Sequence, residues 1–168
     1  MQTGTLGRLS LCTVLLTLVL TGAGHALAQA VDPIVVKTIA EVESKRAEGD
    51  RGTSKLVPAD RVVPGDEVIY TLAVRNTGAD AVAPPTVTKA VPEHTVYIAD
   101  SAVGPGAEVS YSVDGGRTFD RAENLTVQGA DGRPRPALAA DITHIRWQLK
   151  NSLQSNSVAF VRFRAVVK

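Results

Sequence analysis

The stretch Pro64-Gly65-Asp66-Glu67-Val68-Ile69-Tyr70-Thr71-Leu72-Ala73-Val74-Arg75-Asn76-Thr77-Gly78 decides the fold. Pro and Gly suit the two central positions of a tight turn, and Asp-Glu lead the chain out of it. Val68, Tyr70, Leu72 and Val74 then alternate along one face, the period of a half-buried strand. Asn76-Thr77-Gly78 close it with a second turn. A turn, a strand and a turn are thus written into fifteen consecutive residues.

Working outward, the same signals recur. Ile34–Glu43 reads as a first strand, followed by a polar stretch, Ser44–Ser54, and an extended Lys55-Leu56-Val57. Pro58 and Pro64 keep the next segment out of any central ladder position. Thr86–Val91, Thr95–Ala99, Ala107–Val113 and the short Leu125-Thr126-Val127 follow. Ile142–Lys150 and Val158–Val167 close the chain, joined by Asn151–Ser157. After Ala28 there are 21 Val and 6 Leu. Branching at Cβ restricts χ1 and suits a pleated surface better than a helix. Seven or eight short strands separated by turn signals predict an all-β antiparallel sandwich.

The pattern PGDxVxYTxxVxNTG in Pro64–Gly78 resembles the bacterial surface-repeat domain of unknown function number eleven. Val87-Thr88-Lys89-Ala90-Val91-Pro92 and Val96-Tyr97-Ile98 match the spacing of a later segment of that family, with Lys89 where the family usually has Asp. The resemblance covers about Lys55 to Lys168. It implies an immunoglobulin-like sandwich in an exported protein at the cell envelope, and assigns no biochemical activity.

The first residues are expected to lie outside the fold. Met1–Arg8 carries one basic residue, Leu9–Leu20 is apolar, and Ala26-Leu27-Ala28 supplies small residues two positions apart, the layout of a secretory signal peptide. Cleavage is expected after Ala28, or alternatively after Ala30. The division is then 1–28 leader, 29–63 first strand and polar hairpin or loop, and 64–168 sandwich core. The apolar run is about twelve residues, shorter than the roughly twenty that cross a bilayer, so no span remains after cleavage. Cys12 is the only cysteine and leaves with the leader, so the exported domain cannot use disulfides. Export places it in the periplasm or outside the cell.

Total charge excludes some partners. Of 18 basic residues Arg8 leaves with the leader, giving 17 against 17 acidic ones. A chain of zero formal charge has no global attraction to nucleic acid or to anionic membrane. Any electrostatic role is local.

Chemistry-bearing patterns are few. Ser112-Val113-Asp114-Gly115-Gly116-Arg117-Thr118-Phe119 fits SxDxGxT[FW], which resembles the Asp-box turn of β-propellers. The reading adopted is structural, with Ser112, Asp114, Gly116, Thr118 and Phe119 holding a hairpin turn. His94 and His144 have no sequence-visible partners and no zinc-ligand spacing. There is no Gly-x-Ser-x-Gly elbow. Neither a catalytic centre, a cofactor nor a metal is expected. Lys37 lacks the last-strand Asn that an isopeptide cross-link requires.

The two closing strands invite a sharper expectation. If they form a hairpin turning near Gln154, Arg146 faces Arg162, His144 faces Arg164 and Lys150 faces Val158. Trp147 then meets Val161, and Ile145 meets Phe163, on the inner side. Arg146, Lys150, Arg162 and Arg164 would share one outer face, an anion-docking strip for an envelope protein or an anionic glycan. The function expected is a non-enzymatic structural or interaction module; the alternative is a carbohydrate-binding accessory domain using that cationic face.

Overall fold

The computed structural model describes residues 33–43 and 55–168. The leader segment 1–28 and the polar stretch Ser44–Ser54 lie outside the described residues. Ten strands are present among them: β1 (Ile34–Glu43), β2 (Leu56–Pro58), β3 (Glu67–Asn76), β4 (Thr86–Ala90), β5 (Thr95–Tyr97), β6 (Ala107–Ser112), β7 (Thr126–Gln128), β8 (Pro134–Pro136), β9 (His144–Leu149) and β10 (Val158–Val167). Every strand pair is antiparallel. One sheet has the order β2-β1-β3-β10-β5, a second β4-β9-β6, and β7-β8 form a small ribbon. The chain is an all-β antiparallel sandwich. Of the ten strands, four (β2, β5, β7 and β8) are only three residues long, which is why turn signals alone count fewer.

β3 is the centre of the larger sheet because both its ends are defined. Gly65 has φ +91°, the value that the third residue of a type II turn needs and that a side chain resists. Asp66 N–H donates to Val63 O at 3.0 Å, and the Asp66 carboxylate accepts from Val63 N–H at 2.9 Å. At the far end Asn76 is fully buried. Its amide donates to Asp80 O at 2.7 Å and to Leu153 O at 2.9 Å, and accepts from Gly78 N–H at 2.9 Å. One side chain thus ties the loop after β3 to the loop before β10. A buried amide is tolerated because these bonds replace its water.

Between those ends Val68, Leu72 and Val74 point inward with Val161, Phe163 and Ala165 of β10. The facing sheet supplies Val87, Ile145, Trp147 and Leu149, and all of these except Val68 belong to one continuous cluster. The interior is apolar and interdigitated, so the sandwich holds together among the described residues without a cross-link.

The hairpin expected of the last two strands does not form. β10 pairs with β3 along its length, Arg162 opposite Thr71 and Phe163 opposite Tyr70. β9 pairs with β4 and β6, so Arg146 lies between Thr88 and Ser110, and His144 between Ala90 and Ser112. The two strands belong to opposite sheets. Trp147 and Phe163 do meet, but across the core, with ring centroids 6.1 Å apart. Alternation is satisfied equally by two strands side by side in one sheet and by two strands stacked face to face. The pattern therefore put the correct residues inside while leaving the neighbour open.

Candidate interaction surface

Separating β9 from β10 splits the four cations. Arg146 lies on the outer face of the three-stranded sheet, its guanidinium carbon 3.5 Å from the Phe119 ring centroid, a cation–π stack. Its Nε also approaches Thr88 Oγ1 at 3.4 Å. Lys150 follows β9 and borders a polar groove with Glu108, Arg121 and Glu123. Arg162 and Arg164 lie on the outer face of the five-stranded sheet, on the other side of the molecule's core. Arg164 is paired with Glu67 at 2.6 Å. The expected strip of four is therefore two separate pairs, and two of its members are already engaged.

The Asp-box-like turn is a closed network. Asp114 Oδ1 accepts from Ser112 Oγ at 2.7 Å and from the Arg117 and Thr118 amides at 3.0 Å each. Oδ2 accepts from Thr118 Oγ1 at 2.7 Å. These donors, Thr118 foremost, hold the Asp114 carboxyl well below the usual carboxylate range. Ser112 Oγ in turn accepts from Gly116 N–H at 2.9 Å. Gly115 and Gly116 have φ of +78° and +85°. A Cβ on Gly116 would stand 3.2 Å from the His144 ring. Phe119 ends the turn by lying under Arg146. Ser112, Asp114, Gly116, Thr118 and Phe119 are thus brought together, and the carboxylate faces its own loop.

The two histidines have separate surroundings. His94 sits in the turn before β5 with φ +59°, and His144 Nδ1 lies 3.2 Å from Thr143 Oγ1. Among the described residues no three His, Cys, Asp or Glu side chains gather as metal ligands, and no helix is long and apolar enough to cross a membrane.

The feature that sequence reasoning missed is the outer face of the five-stranded sheet. Register sets its rows: Val35, Arg75 and Val158; then Lys37, Ala73 and Phe160; then Ile39, Thr71, Arg162 and the bridged Val103. Val35, Val103 and Phe160 are each about half exposed (50%, 51% and 53%), and Val158 is 44% exposed. Three cations are interspersed among them, and no carboxylate falls in these rows. A shallow depression of about 570 Å³ borders Val103, Pro105, Phe160 and Arg162. The signal was present in β10: once Val161 and Phe163 point inward, Phe160 shares the outward phase of Arg162 and Arg164.

Comparison with known proteins returns no match: no family model fits the chain, no curated protein matches its sequence, and no solved structure matches its fold.

Proposed function

We propose that this chain is an exported, non-enzymatic interaction module of the bacterial cell envelope, docking a protein through the outer face of its five-stranded sheet. The observation that carries the reading is the row-by-row mixture of half-exposed Val35, Val103, Val158 and Phe160 with Lys37, Arg75 and Arg162. Half-exposed apolar side chains interspersed with cations are costly to leave in water and suit a docking surface. The leader-like first 28 residues and the surface-repeat resemblance of Pro64–Gly78 support export and an envelope setting.

A photo-crosslinking benzoylphenylalanine at Phe160, in intact producing cells, tests it against the same residue at Leu138, which is 63% exposed and not among the rows of that face. The reading predicts a discrete protein adduct from position 160 and none from 138. Adducts at neither or at both positions would contradict it. The alternative, a carbohydrate-binding accessory domain, retains only the cations of the outer face. It predicts specific hits on a glycan array that disappear with Arg162→Glu.

A further inference from the structure

The same sheet carries a feature of a different kind at its other side. β1 pairs with β3 from Ile34 to Val42. On its opposite edge β2 covers only Glu41–Glu43, with Ala59 N–H reaching Ala40 O at 3.0 Å. Two hydrogen bonds fix the direction of every main-chain group in β1. Ala40 O points to the β2 side, and Pro33 O accepts from Thr77 N–H on the β3 side at 2.8 Å. In an antiparallel strand these directions alternate. The N–H and C=O of Val36 and Thr38 therefore point to the open edge, where no strand pairs with them among the described residues.

This edge is unusual in being exposed on both faces. Val35, Val36 and Ile39 are 50%, 44% and 38% exposed, and Lys37 and Thr38 are also exposed. An uncovered strand edge is a template for another strand. Lys37 stands at the middle of it, pointing to the outer face, with Ala73 opposite and Arg75 on the diagonal. No carboxylate accompanies either cation in these rows.

Lys37 also selects what can bind. Two copies of the chain can pair their free groups two-fold, Val36 of one facing Thr38 of the other. That register sets Lys37 directly opposite its own counterpart, which like-charge repulsion disfavours. A foreign strand with a carboxylate at that position meets the opposite situation.

We propose that the open edge of β1 at Val36–Thr38 receives an extended segment of a partner protein by strand addition, with an acidic side chain opposite Lys37 and apolar ones opposite Val35 and Ile39. Main-chain bonds to Val36 and Thr38 supply affinity, and the alternating side chains supply selectivity. The inference rests on the module reading above and names how its partner is held.

The probe is the peptide Thr-Val-Thr-Glu-Thr-Val-Thr, which places Glu opposite Lys37 in either strand direction, with a Lys-centred peptide as control. At millimolar concentration the Glu peptide is expected to slow amide exchange of Val36 and Thr38 at least tenfold, and the control to leave it unchanged. Lys37→Glu should exchange the two peptides' roles. Thr38→Pro should abolish protection without unfolding the sheet, since that N–H serves no ladder bond. Unchanged exchange with both peptides, or a Glu preference that survives Lys37→Glu, would overturn the proposal. Protection that rises with protein concentration alone would assign the edge to a second copy and overturn it too. Failure here, with a discrete adduct still formed at Phe160, would remove the strand-addition device and leave the docking face standing.

Discussion

Trp147 and Phe163 face each other across the interior, one from each sheet, with ring centroids 6.1 Å apart and planes inclined at 39°. Both are fully buried. Tyr70, the cross-strand neighbour of Phe163 in the same sheet, stacks on it at 4.9 Å, so the three rings form one aromatic group. Aromatic pairs in tilted or offset geometry add to the burial of their area. Truncating either Trp147 or Phe163 to Ala is expected to cost about 3–5 kcal/mol. The double variant should fall short of the sum, with a coupling of about 0.5–1.5 kcal/mol. Urea unfolding of the four proteins measures it; strict additivity would mean that the rings do not share a contact.

Gly104 is where the chain crosses beside these rings. A Cβ there would stand 2.9 Å from Val161 Cγ1 and 3.1 Å from Trp147 Cδ1. Both neighbours are held by a packed core and cannot withdraw freely. Gly104→Ala is expected to destabilise by about 1–3 kcal/mol through overpacking. Val161→Ala in the same chain should recover part of the loss. A neutral Gly104→Ala would place the loop farther from the core.

Asn76 offers a test by electrostatics. Its amide nitrogen donates to two carbonyls, Asp80 O and Leu153 O. Asn76→Asp keeps the shape and turns the donor into an acceptor facing both. A buried carboxylate set against carbonyl oxygens has its pKa raised, so the neutral form is favoured on folding. The variant should lose about 2–4 kcal/mol near neutral pH, and the loss should shrink as pH falls and the group protonates. Equal loss at all pH values would contradict this account.

The sign reverses at Asp114. Its folded pKa is depressed, first by the Thr118 bonds and then by Ser112. The turn's contribution is therefore complete above the unfolded carboxylate value of about 3.9 and drains as pH falls through the folded value. NMR titration is expected to show the Asp114 carboxyl still ionised where ordinary aspartates have protonated. Asp114→Asn should speed exchange of the Thr118 amide while β9 remains protected. An ordinary titration midpoint would mean that the network is open in solution.

Much of this was legible from local residues. The Pro64-Gly65 turn, the inward phase of β3 and the Ser112–Phe119 network are each specified by neighbours in sequence, where residue type and spacing act directly. What sequence left open is long-range. Nothing local distinguishes Arg162 beside Arg146 from Arg162 beside Thr71, because Val161 and Phe163 are buried in either case. The role of Asn76 depends on Leu153, 77 residues away. The short β8, Pro134–Pro136, escaped notice because two of its three residues are prolines, which disfavour central strands. Pro58 signals where β2 stops, but which part of β1 this leaves uncovered depends on the β1–β2 register, a tertiary fact.

The docking face exists only if β10 lies against β3 in the five-stranded sheet. The most direct measurement is the set of Hα–Hα nuclear Overhauser contacts of β10. Arg162 and Thr71 form a facing pair whose main-chain bonds point away from each other, the arrangement that brings two Hα atoms closest. A strong Arg162–Thr71 contact, with none between Arg162 and Arg146, is the expected result. A strong Arg162–Arg146 contact would contradict the account by restoring the hairpin and dismantling the face built on its absence.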